Sequence, residues 1–439
     1  MIDQTTKASH LLERRKNVVA NGVAAFNTTT VKHAKGAIIT DVDGRELIDF
    51  AGGIGVVNAG HCPEPVVAAI RAQAEKYLHT SFNVVTYEPY IELCEKLCEI
   101  LPHGEKTKVM LVSTGAEAVE NAIKIARQAT KRSAILCYTG AYHGRTMMAM
   151  TLTSKISYKN NCGPFAPEVY RLPFPNLYRY KGKRTEAAFV KNELRKLHES
   201  KLNLVDVKNL AAIIIEPIQG EGGFNPIPKA YLEGLRSFCT EHGIMLIMDE
   251  VQSGFCRTGH WASWQHYGVV PDISCYAKSM GSGLPIAAVV GRAEIMDAAA
   301  PGSIGGTYIG SPVCCAASLA TIKYMKDITL NKTSKKLGKT ISKRLTALMK
   351  SCPEIGEVRG IGAMIAIEFV KNSDPNQPDS EICSKIVKGC TENGLILLSA
   401  GTHKNIIRIL SPLVITKEQL NQGLSILENE IENASSKQQ

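Results

Sequence analysis

Short, uninterrupted apolar runs alternate with helix-length segments through the middle of this 439-residue chain. Val109–Val112, Ala134–Tyr138, Ala211–Glu216, Ile244–Val251 and Pro285–Gly291 all fall within the length range of strands. Between them apolar residues recur at helical spacing, as in Ala118, Val119, Ala122, Ile123 and Ala126, and again across Lys229–His242. A strand that is apolar on both faces has to be covered on both faces, and helices joining successive strands supply that cover. The pattern predicts an α/β fold with a mostly parallel central sheet.

The C-terminal part reads differently. Gly362–Val370 is strand-like, Ser380–Asn393 helical, and Leu395–Ser399 and Ile406–Leu410 are strand-like again. Thr416 opens a last helix, with Gln419 at the spacing of a capping box, and Ala434 to Gln439 read as a short polar tail. This is a smaller α+β unit. Near the N-terminus, Ala37–Thr40, Asp43-Gly44 and Leu47–Phe50 predict a hairpin that packs on one of the two units. A chain this long exceeds one ordinary core. The expected division is an N-terminal segment 1–62 packing with the small domain, a large domain 63–328 and a C-terminal small domain 329–439.

Composition narrows the function classes. The longest apolar runs, such as Ala211–Ile215 and Ile244–Met248, fall far short of the roughly 20 residues of a membrane span. The polar start MIDQTTKASHLLERR lacks a signal-peptide pattern, so a cytoplasmic location is expected. The formal net charge is +10, but basic residues are interspersed with acids, as in Lys181-Gly-Lys183-Arg184 followed by Glu186. No basic stripe with stacking aromatics marks a nucleic-acid surface. The thirteen cysteines form no C-x-x-C pair and no zinc spacing, which fits reduced thiols in a core and no bound metal.

Three motifs carry chemistry. Thr114-Gly115-Ala116-Glu117 sits where a strand passes into a helix, a place whose free N–H groups and helix dipole suit a phosphate. Asp249-Glu250-Val251-Gln252 follows an apolar strand, and ligands of open α/β sheets bind at such strand ends. An acid there could meet a metal, a ribose hydroxyl or a pyridinium nitrogen. Lys278 stands before a Ser/Gly-rich turn that runs to Gly283. Each motif alone is ordinary. Together they are the parts of a pyridoxal 5'-phosphate site: a phosphate cradle, an acid to keep the ring nitrogen protonated, and a lysine to form the Schiff base.

Further segments place the chain beside a known family. Phe50-Ala-Gly-Gly-Ile54, Tyr87-Glu-Pro-Tyr90, Gly140-Ala-Tyr-His-Gly-Arg145, Glu216-Pro-Ile-Gln-Gly-Glu221, Asp249-Glu-Val-Gln252, Ala277-Lys278-Ser, Gly305-Gly-Thr307-Tyr and Arg408-Ile-Leu-Ser-Pro412 occur in one order. In them the chain resembles the class III (ω-amino) aminotransferases, in particular those acting on 4-aminobutyrate, from about Arg14 to about Ile431. The resemblance implies a fold-type I enzyme, a homodimer or homotetramer, with its cofactor near the subunit interface. Lys278 would hold the cofactor and carry the proton. Asp249 would face the ring nitrogen, Gln252 the phenolic oxygen, and Gly115 and Ala116 the phosphate. Tyr142 would stack on the ring with His143 beside it, and Thr307 would reach the phosphate of the partner subunit.

For the substrate, the resemblance assigns Arg145 to the carboxylate remote from the reacting amine and Arg408 to an α-carboxylate. Glu221 would neutralise Arg408 when the substrate has no α-carboxylate, and Ile54 and Glu216 would help position substrate. Arginine grips carboxylates with two parallel hydrogen bonds and stays charged, so an unopposed one would be penalised. The implied reaction is ping-pong transfer of the amino group of 4-aminobutyrate to the 2-oxo acid 2-oxoglutarate, giving succinate semialdehyde and glutamate. Another ω-amino acid, 5-aminovalerate or β-alanine, is an open alternative; an intramolecular aminomutase fits the Glu221–Arg408 pair less well. Relatives commonly carry Ser at Ala116, Gln at Asn83 and Gly at Ser282, and the first of these departures predicts weakened phosphate contacts.

Overall fold

The computed structural model describes residues 6–180 and 185–436. Its centre is a seven-stranded sheet in the spatial order Thr107–Val112, Ala287–Arg292, Ile273–Tyr276, Met245–Asp249, Leu210–Ile215, Ala134–Tyr138, Val169–Leu172. All five expected strands are present in it. Ala287–Arg292 runs antiparallel to both neighbours; the other observed pairings in the sheet are parallel. The inner strands are buried along their whole length, which is why they lack a polar face. Helices Gly115–Thr130 and Lys229–His242 bury one apolar stripe each, as their periodicity demands.

A second sheet joins Ile355–Ile361, Met364–Phe369, Ile406–Ile409 and Leu398–Ala400 in that order. The N-terminal hairpin, Ile38–Thr40 with Glu46–Asp49, forms a third sheet that Leu395–Ile396 extends in parallel. The single strand expected over Leu395–Ser399 is therefore two. The chain leaves the hairpin sheet at the buried Leu397 and enters the neighbouring one at Leu398. Ile355–Ile361 escaped the sequence reading because its side chains are mostly half-exposed and two glycines interrupt it.

Two large apolar cores and two small ones result among the described residues. Of the large ones, one surrounds the seven-stranded sheet, and the other packs Phe50, Ile341, Phe369, Ile386, Leu424 and their neighbours. The capping box at Thr416 and Gln419 is formed, with reciprocal bonds of 3.1 and 3.2 Å. The helix it opens continues to Ser436, so Ala434 and Ser435 belong to a helix rather than to a tail. Residues 437–439 and the basic group Lys181 to Arg184 lie outside the described residues. Among the described residues no helix is long and apolar enough to cross a membrane, and all thirteen cysteines are free.

The helix Leu330–Met349 reaches the hairpin of the second sheet through Gly338, where an added Cβ would lie 1.7 Å from the Gly362 carbonyl oxygen. Both partners there are backbone and cannot yield cheaply. Gly338→Ala is expected to destabilise the protein by about 3 kcal/mol, measured by denaturant unfolding. An unchanged midpoint would contradict this packing.

Candidate active site

The strand Met245–Asp249 ends at the floor of a cavity of about 620 Å³. Asp249, Gln252, Lys278, Gly115, Ala116, Tyr142, His143, Arg145, Glu216 and Glu221 all line it. The two acids at the strand end part company. Asp249 faces the cavity and is 5% exposed. Glu250 turns into the protein, where Ser253, Ser263 and the Trp264 amide occupy its oxygens. One acid of the pair serves the cavity and the other ties down the following loop.

Asp249 Oδ2 lies 2.8 Å from His143 Nδ1, and its Oδ1 accepts from the Val251 amide at 3.0 Å. Glu216 is buried beside it and accepts from the Tyr142 and Gly220 amides, both at 3.2 Å. Burial, then the charge of Asp249, holds the Glu216 carboxyl well above the usual carboxylate range. His143, Glu216 and Asp249 offer ligand atoms within 4.8 Å of one another, a spacing a cation could use. The acid oxygens are already engaged by His143 Nδ1 and by the Tyr142, Gly220 and Val251 amides, while the buried His143 Nε2 has no partner among the described residues.

Lys278 follows the strand Ile273–Tyr276 and takes a left-handed backbone conformation, φ +49°. Burial pushes its amine down to about 8; Glu221 pulls it up and Arg408 pushes it down again. An amine near 8 is partly neutral at physiological pH and therefore nucleophilic.

The phosphate-cradle expectation rests on which N–H groups are free. Thr114 caps the helix Gly115–Thr130 by accepting from Glu117 N at 3.2 Å, and Glu117 Oε2 accepts from the Ser113 and Thr114 amides. The first-turn amides of Gly115 and Ala116 are left over at the cavity wall. Gln252 also lines the cavity, and its buried amide oxygen has no partner among the described residues. A phosphate for the two amides and a ring hydroxyl donating to the Gln252 oxygen would satisfy both. The residues present thus fit the expected cofactor.

Arg408 does not line the cavity. It lies behind Glu221, is 3% exposed, and donates through Nη1 to Glu221 Oε1, while its buried Nε has no partner among the described residues. Burial raises the Glu221 carboxyl, but Arg408 and then Lys278 overcome it, and the net direction is downward. Arg145 is exposed at the cavity wall with no carboxylate in ion-pair contact among the described residues. Sequence reading missed Tyr158, whose ring lies 5.4 Å from Tyr142, with the Arg145 guanidinium at 6.0 Å and the Lys155 ammonium at 5.7 Å. No spacing signal singles out an aromatic in that loop.

Two more expected residues, besides Arg408, lie outside the cavity. Ile54 sits in the left-handed turn Gly52–Gly55, and Val56 lines the wall in its place. Thr307 is exposed on a turn next to a separate open groove, lined by Asn83, Ile304 and Gly305 among others. Ser282 adopts φ +47° and buries an unpartnered hydroxyl, a cost glycine would avoid.

A family model for class-III aminotransferases matches residues 18–431. The chain belongs to the class-III aminotransferases. A probable 4-aminobutyrate aminotransferase of Bacillus subtilis is 45% identical over 417 residues, covering 95% of this chain and 96% of that one. A 5-aminovalerate aminotransferase of Pseudomonas putida is likewise 45% identical, over 95% of this chain and 97% of its own. Among solved structures, an aminotransferase from Vibrio fluvialis in a PMP-bound form superposes with a TM-score of 0.90 at 27% identity, covering 96% of this chain and 98% of that one. The fold is that of these transaminases.

The Lys278 environment makes a prediction for the cofactor-free aminotransferase. Reductive methylation of Lys278, followed by peptide mass spectrometry, should rise with a midpoint near pH 8, because the neutral amine reacts. A midpoint near the ordinary 10.5 would contradict the buried environment described here.

Proposed function

We propose that this class-III aminotransferase moves the amino group of 4-aminobutyrate to 2-oxoglutarate with pyridoxal phosphate as cofactor, giving succinate semialdehyde and glutamate. The observation that carries the substrate choice is the Glu221–Arg408 pair at the cavity edge, with Arg145 open on the wall. The Bacillus subtilis relative supports the same choice. When bound, the cofactor supplies an electron sink that acidifies the carbon bearing the amine.

The residues divide the remaining work. Lys278 would hold the cofactor covalently when no substrate is present, and its amine, once released, would take and return the proton. Asp249, oriented by His143, would serve the ring nitrogen and Gln252 the ring hydroxyl. Gly115 and Ala116 would hold the phosphate through their amides. Tyr142 would cover the ring, and Glu216 would shape the substrate side together with Val56, which takes the wall position expected of Ile54. Arg145 grips the distal carboxylate of either substrate. Arg408 stays paired with Glu221 for 4-aminobutyrate and turns to the α-carboxylate of 2-oxoglutarate. We place no metal in the mechanism.

5-Aminovalerate is the second reading, because the Pseudomonas putida relative is equally similar. It differs by one methylene, worth about 1–3 kcal/mol in a fitted pocket. The holoenzyme should lose its visible cofactor absorbance on addition of 4-aminobutyrate and regain it with 2-oxoglutarate. Lys278→Ala should do neither, with turnover down by about 10⁴-fold or more. Bleaching by 5-aminovalerate or β-alanine at far higher kcat/KM would keep the reaction and replace the substrate. Near-normal turnover by Lys278→Ala would refute the mechanism.

We further propose that the enzyme is a cytoplasmic homodimer in which Thr307 reaches the partner's phosphate site. Free thiols support the location. The Thr307 surroundings support the pairing: Tyr308 is 71% exposed, its ring lies 5.1 Å from His79, and Val84 is 78% exposed nearby in the chain. Light scattering should give twice the chain mass of 47.6 kDa, or four times in a tetramer. A fully active monomer would exclude a role for Thr307 across an interface.

A further inference from the structure

Arg408 has a counterpart in its own sheet. Arg359 and Arg408 both pair with Ala366, one from each side. Residues directly opposite across strands share a face, so the two arginines form one row. Both reach the loop that carries Glu221, in different ways. Arg408 takes the Glu221 side chain. Arg359 takes the main chain: its Nε and Nη2 donate to the Gly223 carbonyl at 2.9 and 2.8 Å. The Gly401 amide donates to the Glu221 carbonyl at 2.9 Å. The approach is close, since a Cβ on Gly223 would lie 2.3 Å from Ile406 and 3.1 Å from Arg359.

Their charges are also treated differently. Arg359 Nη1 donates to Glu357 and Glu368, both at 2.6 Å, and Glu368 is fully buried and shared with Arg179. Among the described residues Arg408 has Glu221 as its one carboxylate, lies 5.9 Å from the Phe224 ring centre and has an unpartnered Nε. A carboxylate entering the cavity can compete for Arg408; Arg359 already holds two carboxylates, one of them shared with Arg179.

We propose that Arg359 is a positioning residue for substrate selection. It pins the main chain of Glu221–Phe224, so that exchange of Arg408 between Glu221 and a substrate α-carboxylate is a movement of the Glu221 side chain alone. This rests on the exchange proposed above. With the loop loosened, Glu221 no longer lines up to neutralise Arg408. The loss then falls on 4-aminobutyrate, which has no α-carboxylate, and spares glutamate, which brings its own.

The test compares the holoenzyme with Arg359→Lys and with the double variant Arg359→Gln, Glu368→Gln. Lysine keeps the charge beside Glu357 and Glu368 but lacks the fork that grips Gly223; the double variant removes the buried acid along with its partner. The readout is kcat/KM for 4-aminobutyrate divided by that for L-glutamate as amino donor, a ratio from which the active fraction cancels. It should fall about tenfold in both variants. Hydrogen exchange over residues 219–225 should quicken in Arg359→Lys while that of Met364–Phe369 stays unchanged. A ratio within about twofold of the parent, or unchanged exchange over 219–225, overturns the proposal and leaves a structural ion pair. A parent enzyme that uses neither donor would instead refute the underlying function.

Discussion

A carboxylate buried at the end of the central strand sets the terms for everything around it. Asp249 is held between His143 and the Val251 amide, with Glu216 buried alongside. Burial first, and then repulsion from Asp249, raise the Glu216 carboxyl. The cavity therefore wants a cation. Lys278 and, one layer back, Arg408 supply it from two different sheets. The reversed strand Ala287–Arg292 is what lets Lys278 come so near. Antiparallel neighbours can be joined by a short segment, here residues 277–286, whereas the parallel strands need a helical crossover. The lysine thus sits on a tight turn at the same sheet end as Asp249.

Bringing Arg408 to that end depends on joining the two large cores, and a buried arginine does it. Arg257 is fully buried and donates to Asn58, Ala363 and Leu410, with bonds of 3.1 Å to Asn58 Oδ1 through Nε and 3.3 Å to each carbonyl. Leu410 lies two residues beyond Arg408, and Asn58 follows the turn that holds Ile54. Burial pushes the Arg257 guanidinium down to about 9, with Asp49 pulling the other way. Neutral oxygens do most of the work of holding a charge there. Such a clamp is directional: each N–H must find its own carbonyl, so it fixes the relative placement of the segments it joins.

Much of the architecture was legible in the chain because it follows from local pattern. Ala134–Tyr138 and Lys229–His242 occur with the expected bounds, since an apolar run with abrupt ends and a helix entered at Pro228 and closed by Gly243 leave little choice. Gly115, Asp249 and Lys278 were readable from a helix start, a strand end and a Ser/Gly-rich turn, whereas Tyr142, His143, Arg145, Glu216 and Glu221 were expected only from the family resemblance. Pairing was not readable. Nothing local says that Ala287–Arg292 runs backwards, that Leu395–Ser399 divides between two sheets, or that Arg359 and Arg408 flank one alanine. Those facts depend on contacts between residues far apart in the chain. The place of Thr307 is hidden for a related reason: its expected partner is another chain.

The departure at Ala116 takes a side-chain hydroxyl from a helix start whose backbone donors remain. A serine there would add a hydroxyl to a phosphate site. Yet the anion-holding capacity of a helix start lies first in its free amides and its dipole. Thr114 and Glu117 satisfy each other and the Ser113 amide, so the capping box consumes the donors around Gly115 and Ala116 and spares those two. A side chain larger than alanine would also crowd Gly144, whose own missing Cβ would stand 2.6 Å from that of Ala116. Ala116 gives up one donor from a site whose fixed donors are backbone, and it keeps the wall on which Gly144 and the Tyr142–His143 segment rest.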